Sequence, residues 1–440
     1  MKEHPDYPWD HHSDQPYIIR NKELKRKIYQ LSWFQMTKAI LVTALVFPIV
    51  FLLQLLRKKT SLATSNPGRC IGLSVHVETE AKGKTTVSAE EIGQMLDDLG
   101  VRHVLMRIPL ANIDQLEKYV SHLDLLKKSN REVIINLLQS RPLLDNPDDQ
   151  QNALGKVLKA LTGKVEYIQV GNAYNRKKWG FYHFREYNDF FQHVRTVSKQ
   201  ICPEIKLLGG STIDFEPIHL IESLFHLRPT AYDGYATQLY VDRRGAPENK
   251  QLNLYNFLSK INFISLLHKL SFKSKGDLWI TEFNWPLENT LPFAPCKDGL
   301  VSEQDQANFL ARSYLIAIAS GRVRTCYWHQ LIAPGYGLVN NQTEQPRKHP
   351  SYYALATIIR LFSEASNVRY STRHKGINGL YSFQCQTIYN GKPVTVIALW
   401  SVTEAHLNNP ENTQTWLDLS GNSIENPASI TESVVYAINN

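Results

Sequence analysis

Cysteine is scarce: five in 440 residues, at positions 70, 202, 296, 326 and 385, odd in number and without close spacing. That argues against a disulfide framework and against a zinc site. No glycine-rich phosphate turn follows the first predicted strand, so a dinucleotide fingerprint is missing. Internal repeats and long low-complexity tracts are missing too. Excess positive charge is absent from most of the chain. The formal charge is +8, but residues 1–59 hold ten Lys/Arg against five acids, which leaves the other 381 residues at +3. A basic nucleic-acid-binding domain is not indicated. His4, His11 and His12 read as part of a solvated tail, and no metal or cofactor is expected.

Long hydrophobic runs are also missing, with a single exception. "AILVTALVFPIVFLLQLL", residues 39–56, carries no charge and would span roughly 27 Å as a helix, close to the hydrocarbon thickness of a bilayer. Pro48 is tolerable inside a membrane helix. Basic residues flank the run: Lys25, Arg26, Lys27 and Lys38 before it, Arg57, Lys58, Lys59 and Arg69 after it. A polar leader of 38 residues and the lack of a small-residue cleavage site argue against a cleavable signal peptide. The expected organisation is a polar basic tail (1–38), a transmembrane helix (39–56) and a linker (57–66). The flanking charges tie under the positive-inside rule. The soluble part is expected on the periplasmic or otherwise outward side of a single-pass protein.

From residue 67 short β-rich runs alternate with amphipathic helices. The runs are 71–77, 101–108, 132–138, 165–170, 205–211, 232–240, 278–283 and 323–330. Their apolar texture suits strands buried on both faces. Ser88 with Glu91 makes a capping box ahead of a helix that Gly100 stops; Ser302 with Asp305 opens another that halts at Gly321. Eight strand–helix units predict an α/β fold, a (β/α)₈ barrel over 67–363; an open doubly wound sheet is the alternative. Residues 364–440 change texture. Two alternating runs around Asn390-Gly391 predict a hairpin within a small β-sandwich.

Catalytic groups of such barrels project from the C-terminal strand ends. The polar and aromatic residues there are Arg107, Asn172, Tyr240, Glu282 and Trp328. Together with "ITEFNWP" (280–286) and "YWHQLIAPGYG" (327–337), this ordered set resembles the retaining glycoside hydrolases of clan A. The resemblance implies a nucleophilic Glu282, a supporting Arg107 and Tyr240, Asn172 from the Asn-Glu-Pro motif, and Trp328 as a sugar floor. Three departures stand out: Ala173 replaces the acid/base and Tyr174 the proline, while Gln238 takes a place where histidine is common. Asp214 and Asp242 are the preferred substitute acids, ahead of Glu78, Glu80, Glu216 and Glu288.

The rim is basic, with Arg141, Arg176, Lys177, Lys178, Arg243 and Arg244, which suits an anionic glycan. Trp179, Trp285, Tyr327 and Trp328 are candidate sugar platforms. The expected protein is a membrane-anchored, glycosidase-like protein acting on an anionic, bacterial envelope-type glycan, by transglycosylation or cleavage of an activated linkage. The alternative is a pseudo-enzyme that binds glycan or assists envelope assembly.

Overall fold

Eight apolar runs pair in parallel and close on themselves. The strands are β1 (Ile71–Val75), β2 (His103–Pro109), β3 (Glu132–Leu138), β4 (Tyr167–Val170), β5 (Lys206–Ile213), β6 (Gly234–Gln238), β7 (Leu278–Phe283) and β8 (Val323–Trp328). Each pairs with the next, and β8 also pairs with β1, Cys326 opposite Ile71, which closes the barrel. Closure leaves no edge strand, and the strands are buried along nearly their whole lengths, as their mostly apolar sequences require. This computed structural model describes residues 6–439 apart from 57–65, 78–82, 242–244, 343, 373, 375–376 and 407–414. The predicted linker therefore lies almost wholly outside the described residues.

The helices that matter for the site are α1 (Lys22–Leu56), α2 (Ala89–Leu99), α3 (Phe184–Ile201), α4 (Pro217–Leu224), α5 (Phe257–Leu270), α6 (Glu303–Ser320) and α7 (Pro350–Phe362). Their ends follow the sequence signals. Ser88 Oγ accepts from the Glu91 N–H, the Glu91 carboxylate accepts from the Ser88 N–H, and Gly100 closes α2 in the left-handed region at φ 73°. Glycine reaches that conformation without a Cβ clash.

The barrel floor is a layer of inward side chains: Leu105, Ile134, Tyr167, Leu208, Ala236, Trp279 and Tyr327. The Trp279 and Tyr327 rings stack with centroids 6.4 Å apart. Tyr327 is thus floor packing, not a platform at the mouth.

The C-terminal residues form one antiparallel sheet of six strands, β9 (Ser366–Ser371), β10 (Leu380–Tyr389), β11 (Lys392–Ser401), β12 (Thr415–Leu417), β13 (Ser423–Ile424) and β14 (Val435–Asn439), in the order β9-β10-β11-β14-β12-β13. Tyr389 pairs with Lys392 across Asn390-Gly391, as the hairpin signal predicts. Phe383 and Tyr436 pack on Phe362 of α7, so a helix rather than a second sheet covers that face.

The N-terminal segment differs most from its expected form. The helix starts at Lys22, well before the apolar run, because Asn21 Oδ1 accepts from the N–H groups of Glu23 and Leu24 and caps it. One face of α1 packs on the barrel's helices: Phe47 lies 5.4 Å from Phe263 of α5, and Gln54 donates to the Ser259 carbonyl at 3.0 Å. Ile40, Leu41, Leu45 and Ile49 stay exposed. His4 lies outside the described residues, and those described before α1 are not a solvated tail. Trp9–Asp10 and Gln15–Pro16 pair as a short antiparallel ladder, and His12 sits edge-on to Phe293.

Candidate functional site

Strand alternation turns the apolar floor into a polar layer one step higher. Arg107, Asn136, Gln169 and Gln238 each lie two residues beyond a floor residue (Leu105, Ile134, Tyr167 and Ala236), so all point inward. All four are buried. β7 breaks the alternation. Trp279 points inward, yet Phe283 points outward onto Phe257 and Tyr314. Register irregularities against both β6 and β8 separate the two. Such irregularities re-aim side chains, and this one turns Glu282 into the barrel.

Glu282 is held from two sides. Arg107 Nη2 donates to Oε2, and the Tyr240 hydroxyl donates to Oε1. Burial alone would lower the pKa of Arg107; the carboxylates of Glu282 and Asp14 outweigh it and hold the guanidinium above its ordinary value. A cation fixed against one oxygen and a hydroxyl against the other hold the carboxylate in one orientation.

Asn172, two residues past β4, joins the polar layer. Its Oδ1 accepts from Asn136 Nδ2 at 3.3 Å and from Gln238 Nε2. Gln139 brackets its backbone, accepting from the Asn172 N–H and donating to its carbonyl, each at 2.9 Å. The next residue, Ala173, is fully buried at φ 45° and packs with Leu138 and Trp179. It brings no proton-carrying group to the pocket. Tyr174 turns away, donating to the His219 carbonyl at 2.7 Å.

Several expected site residues serve other partners. Arg176 binds Asp214 at 2.5 Å and Glu216 at 2.8 Å. That closes an ion-pair cluster on itself, so one arginine of the basic rim and the preferred acid Asp214 neutralise each other. Arg141 is likewise paired, with Asp145 and with Glu186. Lys177 donates to the Tyr182 carbonyl, and burial pushes its pKa down to about 8. Lys178 donates to Gln15 Oε1 at 2.5 Å, with its pKa also down to about 8, through burial and then Arg176. Trp285 and Trp328 are both fully buried and stacked together at 5.9 Å, and Trp285 donates its indole N–H to the Gly245 carbonyl. Outward-pointing β8 geometry puts Trp328 in the helix layer instead of under a sugar. Of the expected aromatics, Trp179 is the one beside Arg107, whose guanidinium carbon lies 6.0 Å from its ring. Asp242, Arg243, Arg244, Glu78 and Glu80 lie outside the described residues.

Sequence reasoning missed four residues here: Asp14, His76, His329 and Gln330. His76 follows β1 and contacts the Asp14 carboxylate. His329, just past β8, stacks on Tyr336 at 5.5 Å, and burial drives its pKa far below the ordinary value, leaving it neutral. Their places beyond the ends of β1 and β8 were a usable signal for the last three. Nothing in the sequence marks Asp14. Among the described residues no cluster suits a metal ion.

Comparison with solved structures finds glycoside hydrolases. A family 39 glycoside hydrolase from the gut symbiont Bacteroides cellulosilyticus WH2 superposes with a TM-score of 0.60 at 13% identity, covering 85% of this chain and 82% of that one. A family 39 β-xylosidase from Caulobacter crescentus gives 0.55 at 11% identity, covering 87% and 98%. The family 39 enzyme from Xanthomonas axonopodis pv. citri gives 0.52 at 13% identity, covering 82% and 78%. At these identities the likeness establishes a glycosidase-like barrel fold. No protein-family profile and no curated protein sequence matches the chain.

Proposed function

We propose that the chain is a membrane-anchored, glycoside hydrolase-like protein that acts through Glu282 on an anionic, envelope-type glycan. The observation that carries this reading is the Glu282 carboxylate, fixed at a barrel strand end between Arg107 and Tyr240. In the proposed chemistry, Glu282 attacks an anomeric carbon and forms a glycosyl ester. The bond to the leaving oxygen breaks, and its electron pair departs with that oxygen. Asn172, fixed by Asn136, Gln238 and Gln139, orients the sugar opposite the carboxylate. Ordinary retaining hydrolysis also needs a second carboxyl roughly 5 Å away to protonate the leaving oxygen. Ala173 stands where the resemblance puts that acid. Leaving groups that are stable as anions, such as phosphate, therefore suit this site. Water or an acceptor hydroxyl then attacks the ester, releasing its proton to solvent and the carboxylate of Glu282 as leaving group.

Kinetics on an activated glycosyl donor test the assignment. Glu282→Gln keeps the shape and removes the nucleophile, so turnover should fall by about a thousandfold or more while binding persists. Ala173→Glu should speed donors with poor leaving groups, general acid catalysis contributing about 10²–10⁴-fold, and leave phosphate-like donors nearly unchanged. Turnover that survives Glu282→Gln intact removes the nucleophile. A second reading, a glycan-binding pseudo-enzyme, draws on Ala173 together with the chain segment seated over the barrel mouth. Glycan binding without turnover on any activated donor selects it.

A further inference from the structure

The barrel mouth is occupied by the chain's own N-terminus. The Trp9–Asp10/Gln15–Pro16 ladder is tightened by Asp10, whose carboxylate accepts from Ser13 Oγ at 2.6 Å and from the His12 N–H at 3.0 Å. Trp9 meets Trp179 edge-on at 5.7 Å. Gln15 donates to the Pro295 carbonyl at 2.9 Å and accepts from Lys178. Tyr336 donates to the Ser13 carbonyl at 3.2 Å. At the tip Asp14 adopts φ 51°, a left-handed conformation that L-residues visit sparingly. That turn aims its carboxylate at Arg107 Nη1 (3.3 Å), Gln330 Nε2 (3.3 Å) and His76. Arg107 thus bridges two carboxylates, one from the barrel and one from the tail.

The tail carboxylate has the chemistry of a ligand. Without it, an arginine nitrogen, an imidazole and an amide N–H would converge on a point that shares Arg107 with Glu282. Buried donors left unpaired are costly, and a planar carboxylate matches a guanidinium edge. Among the described residues of the expected basic rim, Arg176 is already neutralised by Asp214 and Glu216, and Arg141 by Asp145 and Glu186. Building on the glycan reading above, we infer that residues 8–17 are a resident competitor for the mouth, and that the Asp14 carboxylate marks the subsite for the carboxylate of an acidic sugar.

The test uses the full chain in three forms: wild type, Asp14→Lys, which sets a cation against Arg107, and Trp9→Ala, which removes the other anchor. The probes are an oligogalacturonate and its methyl ester, the same sugar with the carboxylates masked. Amide exchange over residues 8–17 reads tail docking, and calorimetry reads binding. Both variants should lose protection over 8–17 and bind the acid form about tenfold tighter than wild type, with little gain for the ester. Equal gains for both probes, or a released tail with no gain for the acid form, overturn the subsite. Wild-type amides at 8–17 that exchange freely overturn the resident tail. If neither probe binds any form although the tail is released, the subsite falls together with the glycan reading. Failure of the subsite alone is recognised by ester and acid binding equally.

Discussion

The barrel and the N-terminal segment are built on opposite principles. Barrel strands close on one another and bury both faces, so their stability comes from apolar side chains such as Trp279, Leu208 and Ile134. The N-terminal ladder has two residues on each side and stays in place through polar contacts and one tryptophan edge. Between them runs α1, uncharged from residue 39 to its end, with one face on α5 and Ile40, Leu41 and Leu45 exposed. The contrast separates a core that needs no partner from a helix whose outer face is left uncovered.

It also exposes a conflict of topology. The helix of 35 residues is long and apolar enough to cross a membrane. A helix that crosses a bilayer leaves its two flanks on opposite sides. A tail seated in the barrel mouth requires them on the same side. Spanning and docking therefore exclude each other within one molecule. The first prediction exploits this. Reconstituting the full chain into liposomes so that α1 inserts should abolish the exchange protection of residues 8–17 and leave that of β2 intact. Full protection at 8–17 with α1 shielded by lipid would mean that α1 lies along the membrane surface without crossing it.

The second prediction strikes the barrel instead. Trp279→Ala removes a fully buried ring from the floor and should destabilise thermal unfolding by about 3–5 kcal/mol. Trp9→Ala should leave the unfolding temperature nearly unchanged while freeing the tail. Equal losses from the two would erase the distinction between core and strap.

The third and smallest effect is acid release of the tail. Burial alone would raise the pKa of Asp14, but His76, Arg107 and Lys84 pull it from 3.8 to about 2. A depressed carboxylate pKa stabilises the docked state fully above the undocked value and loses that contribution as pH falls through the docked one. The side chain keeps 28% exposure, so solvent screening limits the contribution to no more than about 2 kcal/mol. Exchange at 8–17, referenced to β2, should be unchanged down to pH 4 and quicken toward pH 2. Asp14→Asn should remove that dependence.

Much of the barrel was legible because its signals are local. Glu132–Leu138 and Leu278–Phe283 match their apolar runs residue for residue. Ser88, Glu91 and Gly100 mark α2 through backbone capping that involves neighbours alone. Arg107, Asn172, Tyr240 and Glu282 were readable as polar residues ending apolar strands; the structure sets Arg107 and Tyr240 on the Glu282 carboxylate, while Asn172 bonds to Asn136 and Gln238. Side-chain direction was less accessible. Alternation along β7 puts Thr281 and Phe283 inward with Trp279; the register irregularity that selects Glu282 depends on the neighbouring strands. Trp328 shows the same limit, reading as a pocket floor until β8 turns it toward Trp285.

What the sequence determined by itself was the repeating strand–helix order, the uncharged run in α1 and the identity of the carboxylate at the end of β7. Each follows from residue type, period and capping over a few neighbouring positions. What only the tertiary structure decided was which charges meet. Asp14 and Arg107 are 93 residues apart in the chain, and Arg107 and Glu282 are separated by 175. Arg176 looked like a free cation until folding set Asp214 and Glu216 against it. Electrostatic partners are chosen by distance in space, and over such separations the chain's path, not its composition, fixes that distance.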